Sequence, residues 1–100
     1  MIRNPRTTLG ETLIQLAADD ERILAVSCDS GNGGTGVFGK AYPDRYIECG
    51  IMEQSAVSLC AGLAQSGFIP YIAIICPFLT MRAYEQIRDD IGFANSCQRF

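Results

Sequence analysis

Two kinds of apolar pattern alternate along the chain. Leu9, Leu13, Leu16 and Ala17 recur at helical spacing, and Thr8-Leu9-Gly10-Glu11 reads as a capping box, so the spacing predicts a helix running to about Asp20. Arg22 to Asp29, RILAVSCD, is a short apolar run rich in β-branched residues without helical period, the mark of a buried strand. After the glycine-rich stretch SGNGGTG, the segment VFGKAYPDR has no clear period and reads as irregular chain until a second short strand at about Arg45 to Cys49. A helix is predicted from about Met52 to Ser66, where Ala56, Ala61, Gly62 and Ala64 permit close approach to a sheet and Gly67 stops it. Pro70 to Cys76, PYIAIIC, reads as a third buried strand. From about Thr80 to Gly92, Tyr84, Ile87 and Ile91 share one helical face, with Arg82, Glu85, Arg88 and Asp89 largely on another.

Strands alternating with helices of this length imply βαβ units, and hence an α/β domain with a parallel sheet between two helical layers. No linker or internal repeat divides the sequence, so residues 1–100 are expected to form one domain. The final ANSCQRF stops where a further strand is expected, and the domain reads as incomplete, with an open sheet edge.

Composition narrows the chemistry. The 100 residues are 48% apolar with a net charge of −3, and the eight basic side chains are scattered rather than striped, against a nucleic-acid surface. The amino terminus MIRNPRTTLGE lacks the apolar core of a signal peptide, so a cytoplasmic location is expected. The longest apolar run, Phe68 to Leu79, carries two prolines and falls far short of the roughly 20 residues that span a bilayer. Five cysteines, Cys28, Cys49, Cys60, Cys76 and Cys97, are odd in number and mostly set in apolar runs, which favours reduced core thiols over disulfides or zinc. No histidine occurs, so Ser/His/Asp and Cys/His catalysis cannot be built within this chain.

Two features suggest a site. Gly31-Asn32-Gly33-Gly34-Thr35-Gly36 formally matches G-x-G-x-x-G, but that motif needs a helix to open within it, and Gly39 and Pro43 make the following segment a poor one. A surface loop, or a mobile loop touching a ligand, explains the glycines better. Open parallel sheets bind ligands beyond the carboxyl ends of their strands. Asp29, Glu53 and Phe78 follow the three predicted strands and converge on that edge. Each also has a plain explanation: Asp29 can accept from loop amides, Glu53 can complement a helix dipole, and Phe78 can be core.

YPDRYIECGIMEQSAVSLCAGLAQSGFIPYIAIICPFLTMRAYEQIRDDI, Tyr42 to Ile91, resembles the pyrimidine-binding domain of the transketolase family and that of the related 1-deoxyxylulose-5-phosphate synthases. RTTLGETLIQLAADD and ILAVSCD resemble the preceding part of the same domain, so the likeness reaches to about Asn95. PDRYIECGIMEQ and FLTMRAYEQIRDD are its most specific pieces. The resemblance implies a thiamine diphosphate-binding fold. By it, Glu53 matches the glutamate that hydrogen-bonds N1′ of the cofactor's aminopyrimidine ring, and Phe78 the aromatic residue that stacks on it. Asp29 matches an acidic residue close to the cofactor, and Arg6 an arginine that reaches a substrate phosphate. Departures are Ile75, where the family often has a second phenylalanine, and Gly33 and Gly34, where related chains tend to have serine or threonine. These leave the sugar open.

The diphosphate- and magnesium-binding domain of the family, with its Gly-Asp-Gly pattern, has no counterpart here. The likeness therefore points to the carboxy-terminal subunit of a split bacterial transketolase, truncated, whose Mg²⁺ and diphosphate ligands sit on an amino-terminal partner subunit in a homo- or hetero-oligomer such as a dimer. The expected reaction is transfer of a two-carbon ketol unit from a ketose to an aldose, on sugar phosphates, with the lone chain inactive. A deoxyxylulose-phosphate synthase-like fragment differs in using pyruvate as donor. A truncated domain without turnover, and a nucleotide-binding domain built on the glycine loop, are the readings from other classes.

Overall fold

A computed structural model describes residues 4–29 and 34–94, with the side chain of residue 93 excepted. Helix α1 (Pro5–Asp19) leads into strand β1 (Ile23–Ser27), a short helix α2 (Thr35–Ala41) and a 3-10 turn at Pro43–Arg45. Strand β2 (Tyr46–Glu48), helix α3 (Glu53–Gln65) and strand β3 (Ile69–Ile72) follow. The chain then forms helix α4 (Cys76–Thr80) and one helical turn α5 (Tyr84–Gln86), which widens into a π-helical segment at Ile87–Phe93.

The sheet is parallel, in the order β2-β1-β3, with Ala25 paired to Tyr46 on one side and to Tyr71 on the other. The central strand β1 is buried along its whole length and serves two cores. Ile23 and Ala25 pack with Leu13, Ala17 and Phe38 of α1 and α2 on one face. Val26 and Cys28 pack with Ala56, Val57 and Cys60 of α3, and with Leu79 and Ala83, on the other. A period of two along one strand thus sets a helical layer on each side, the three-layer α/β/α arrangement expected from the sequence.

Several elements differ from expectation. Helix α1 starts three residues before the expected capping box, because Asn4 caps it by accepting from the Arg6 amide at 2.9 Å and Pro5 is preorganised for the first turn. VFGKA is helical rather than irregular. Phe38, fully buried, anchors α2 on the sheet, and tertiary packing overrides the weak propensity of Gly36 and Gly39. A helix therefore does follow the glycine loop, although residues 31–33 of that loop lie outside the described residues. Strand β3 ends at Ile72 instead of Cys76, a separate helix α4 precedes the helix expected from Thr80, and that expected helix is replaced by a turn, α5 and the π segment. Pro77 opens α4, and a turn at 81–83 separates it from α5. Cys28, Cys49, Cys60 and Cys76 form no disulfide, with Cys28 and Cys60 buried, Cys49 half-buried and Cys76 exposed; Cys97 lies outside the described residues.

Candidate functional site

Because all three strands run the same way, the residues that follow them gather at one edge of the sheet. Asp29 comes two residues after β1, Glu53 opens α3 after β2, and Phe78 lies in α4 after β3.

The loops on this edge are held by a carboxylate, Glu48, that sequence reasoning missed. Glu48 Oε2 accepts from the backbone N–H of Asp29 at 2.8 Å and from that of Gly50 at 2.7 Å. Asp29 sits at φ +55° and Gly50 at φ +73°, both in the left-handed region. Aspartate tolerates that region better than most residues, and glycine carries no penalty there. Glu48 thus ties together the chain leaving β1 and the chain entering α3. Partial desolvation opposes its ionisation, but the two N–H groups, with Ser27 and Tyr46, outweigh it and hold the carboxyl below its ordinary value of 4.5.

Glu53 is the first residue of α3, and Met52 before it offers no side-chain cap, so the free amides of the first turn favour a negative charge there. The carboxylate is only 4% exposed. Arg82 pairs with it, Nη1 donating to Oε2 at 3.2 Å. The same guanidinium lies over the Phe78 ring, 4.4 Å from its centroid. Phe78 and Arg82 are four positions apart, and buried Leu79 and Ala83 pin the intervening turn to the core. The broken helix is therefore what returns Arg82 over Phe78 and onto Glu53. A cleft of about 300 Å³ opens here, lined by Ile51, Met52, Glu53, Gln54, Ser55 and Arg82.

Burial pushes the Cys28 thiol beneath this edge up to about 11, with the charges of Cys49, Glu53 and Glu48 adding to the effect despite an opposing Met52 amide. It is a protonated core group, not a nucleophile. Among the described residues, no group of three histidine, cysteine, aspartate or glutamate side chains is placed to hold a metal ion. Nor is any helix among them long and apolar enough to cross a membrane.

The structure joins Glu53 and Phe78 through Arg82 and sets Asp29 at the same edge with its amide tied to Glu48. Arg6 lies apart, exposed on the first turn of α1, whose helix packs against the opposite sheet face. There it lines a cleft of about 370 Å³ with Asn4, Thr7, Gly34, Val37 and Lys40. The sequence pattern sets Arg82 largely on the helical face away from Tyr84, Ile87 and Ile91, with no role in the site. Its spacing of four from Phe78 was the available signal, obscured because the pattern suggested one continuous helix.

The family model for the pyrimidine-binding domain of transketolase matches residues 3–96. The chain belongs to this family. It is 47% identical over 83 residues to the 1-deoxy-D-xylulose-5-phosphate synthase of Desulforudis audaxviator, an alignment covering 82% of this chain and 13% of that one. With the same-named enzyme of Clostridium perfringens it shares 39% identity over 94 residues, 93% of this chain and 15% of the relative. Among solved structures, a split-gene transketolase described as an inactive β4 tetramer superimposes with a TM-score of 0.84 at 30% identity, covering 93% of this chain and 31% of that one. The chain thus spans about an eighth to a seventh of the length of these synthases. Its pyrimidine-binding-domain fold is the three-layer one described above.

Proposed function

We propose that this chain is the pyrimidine-binding part of a thiamine diphosphate-dependent transferase of the transketolase family, and that Glu53 is its cofactor-activating residue. The observation that carries the reading is the placement of the nearly buried Glu53 carboxylate beside the face of Phe78, both reached by one planar side chain, Arg82. A flat group that stacks and donates a hydrogen bond already fits between them. An aminopyrimidine is likewise flat and stacks, and its ring nitrogen hydrogen-bonds a carboxyl group through one proton shared between them, so the residues present suit the ring.

In this reading Glu53 hydrogen-bonds N1′ and holds a proton there, Phe78 stacks on the ring, and Asp29 borders the cofactor. Arg6 binds a substrate phosphate. Mg²⁺ and the diphosphate are held by a partner chain. Bound thiamine diphosphate supplies the carbon nucleophile that cleaves and re-forms a bond next to a carbonyl. The residues of this chain orient the ring, exclude water from its buried edge and manage the N1′ proton. The preferred reaction moves a two-carbon ketol unit from a ketose phosphate to an aldose phosphate, in an oligomer with an amino-terminal transketolase subunit in the cytoplasm.

A second reading is favoured by the 39–47% identity to deoxyxylulose-phosphate synthases, in which pyruvate replaces the ketose as donor. Supplying the assembled enzyme with pyruvate or with a ketose phosphate, and following product by chromatography, separates the two. In either case Glu53→Gln, which keeps the size but cannot hold the proton in the same way, is expected to lower turnover by roughly 10²-fold or more. Full activity in that variant would refute the assignment.

A further inference from the structure

The pairing of Arg82 with both Glu53 and Phe78 has a consequence for the ring-free protein. A guanidinium is planar, donates in a fixed fork and stacks on aromatic faces. At 3.2 Å from Glu53 Oε2 and 4.4 Å from the Phe78 centroid, it takes the hydrogen bond and the π face that the proposed function gives to the aminopyrimidine. One carboxylate oxygen and one ring face cannot serve both groups in the same way at once. Arg82 is also held lightly: its side chain is 46% exposed, and its guanidinium reaches into the site from a turn between two short helices. Phe78 is itself 38% exposed, so the stacked pair is reached from solvent.

We infer that Arg82 is a closing side chain that stands in for the pyrimidine ring in the ring-free protein and must swing out for the ring to bind. The inference rests on the proposed cofactor reading. In the closed state Arg82 neutralises the Glu53 carboxylate, which would otherwise be buried with an unmatched charge, and covers the Phe78 face against unspecific apolar contacts. Ring entry replaces the Arg82 ion pair at Glu53 by a hydrogen bond to the ring nitrogen, with one proton taken up from solvent and shared between the two groups. Ligand binding to a state that is open only part of the time is weakened by the open fraction.

The test is titration calorimetry of the enzyme assembled with its diphosphate-binding subunit, using thiamine diphosphate with Mg²⁺ as the probe. Wild type is compared with Arg82→Ala and Arg82→Lys, and thermal unfolding of each ring-free protein confirms folding. If the closed form is about 90% populated, Arg82→Ala binds about tenfold more tightly than wild type. Arg82→Lys, which keeps the ion pair but loses planar stacking, falls between them. A folded Arg82→Ala that binds with unchanged or weaker affinity overturns the inference and makes Arg82 a structural or ring-contacting residue. A folded Arg82→Lys that binds more weakly than wild type does the same should Arg82→Ala not fold. Wild type that binds no thiamine diphosphate overturns the cofactor reading itself, and this inference with it.

Discussion

Glu48 illustrates how a single side chain acts on the site without entering it. Its Oε2 receives the amides of Asp29 and Gly50, so the loops after β1 and β2 share one anchor. Its pKa is depressed in the folded protein, so the charged form is the one folding favours. The stability it contributes is therefore present above the unfolded value near 4.5 and is lost as pH falls through the lower folded value. Unfolding midpoints measured from neutral pH down through this range should drop for wild type. Glu48→Gln keeps an acceptor oxygen but does not titrate, and its curve should be shallower in the same range while lying lower at neutral pH. An identical pH slope in the variant would show that the anchor is immaterial. Arg45, in the specific stretch PDRYIECG, is likewise structural: it donates to the carbonyls of Ile23, Ala17 and Asp20 and stacks on Tyr42, closing the end of α1.

Among the elements, the contact of α1 with the start of α2 depends on two residues lacking a β-carbon. A Cβ on Gly10 would collide with the Gly34 carbonyl, and one on Gly34 would collide with the Arg6 carbonyl. Gly34 also sits at φ +111°, a conformation that side-chain-bearing residues rarely adopt. Gly34→Ala should destabilise the protein by about 2–4 kcal/mol, combining backbone strain with the clash, as read from denaturant unfolding. This close approach was not legible in the sequence, where the glycines only suggested a loop. Helix α2 was missed for a related reason: Gly36, Gly39 and Lys40 spoil its period, and only the burial of Phe38 against β1 makes it helical. By contrast α3 was legible almost to the residue, because the small residues at Ala56 and Ala61 face the sheet and Gly67, at φ +99°, ends it. The start of α3 was also enough to place Glu53 on the ligand edge. The partner of Glu53 was hidden, since it depends on a helix break that the continuous pattern from Thr80 to Gly92 concealed.

At the scale of the molecule, the carboxyl edge of the sheet is unusually apolar for a surface. Ile51, Met52, Ile75, Met81 and Tyr84 are all more than half exposed, and they surround Glu53 and Phe78 along the chain. Such a rim around a buried carboxylate is what a second polypeptide would be expected to cover. That places the central claim at the level of assembly: Glu53 and Phe78 supply one wall of a cofactor site, and the diphosphate and metal are held on the other wall. The most direct measurement is calorimetric titration of thiamine diphosphate with Mg²⁺ into this chain alone, into the diphosphate-binding subunit alone, and into the two together. Saturable binding only in the mixture, weakened by Glu53→Gln, is the predicted result. Equal binding by the lone chain, or by the mixture regardless of Glu53, would contradict it.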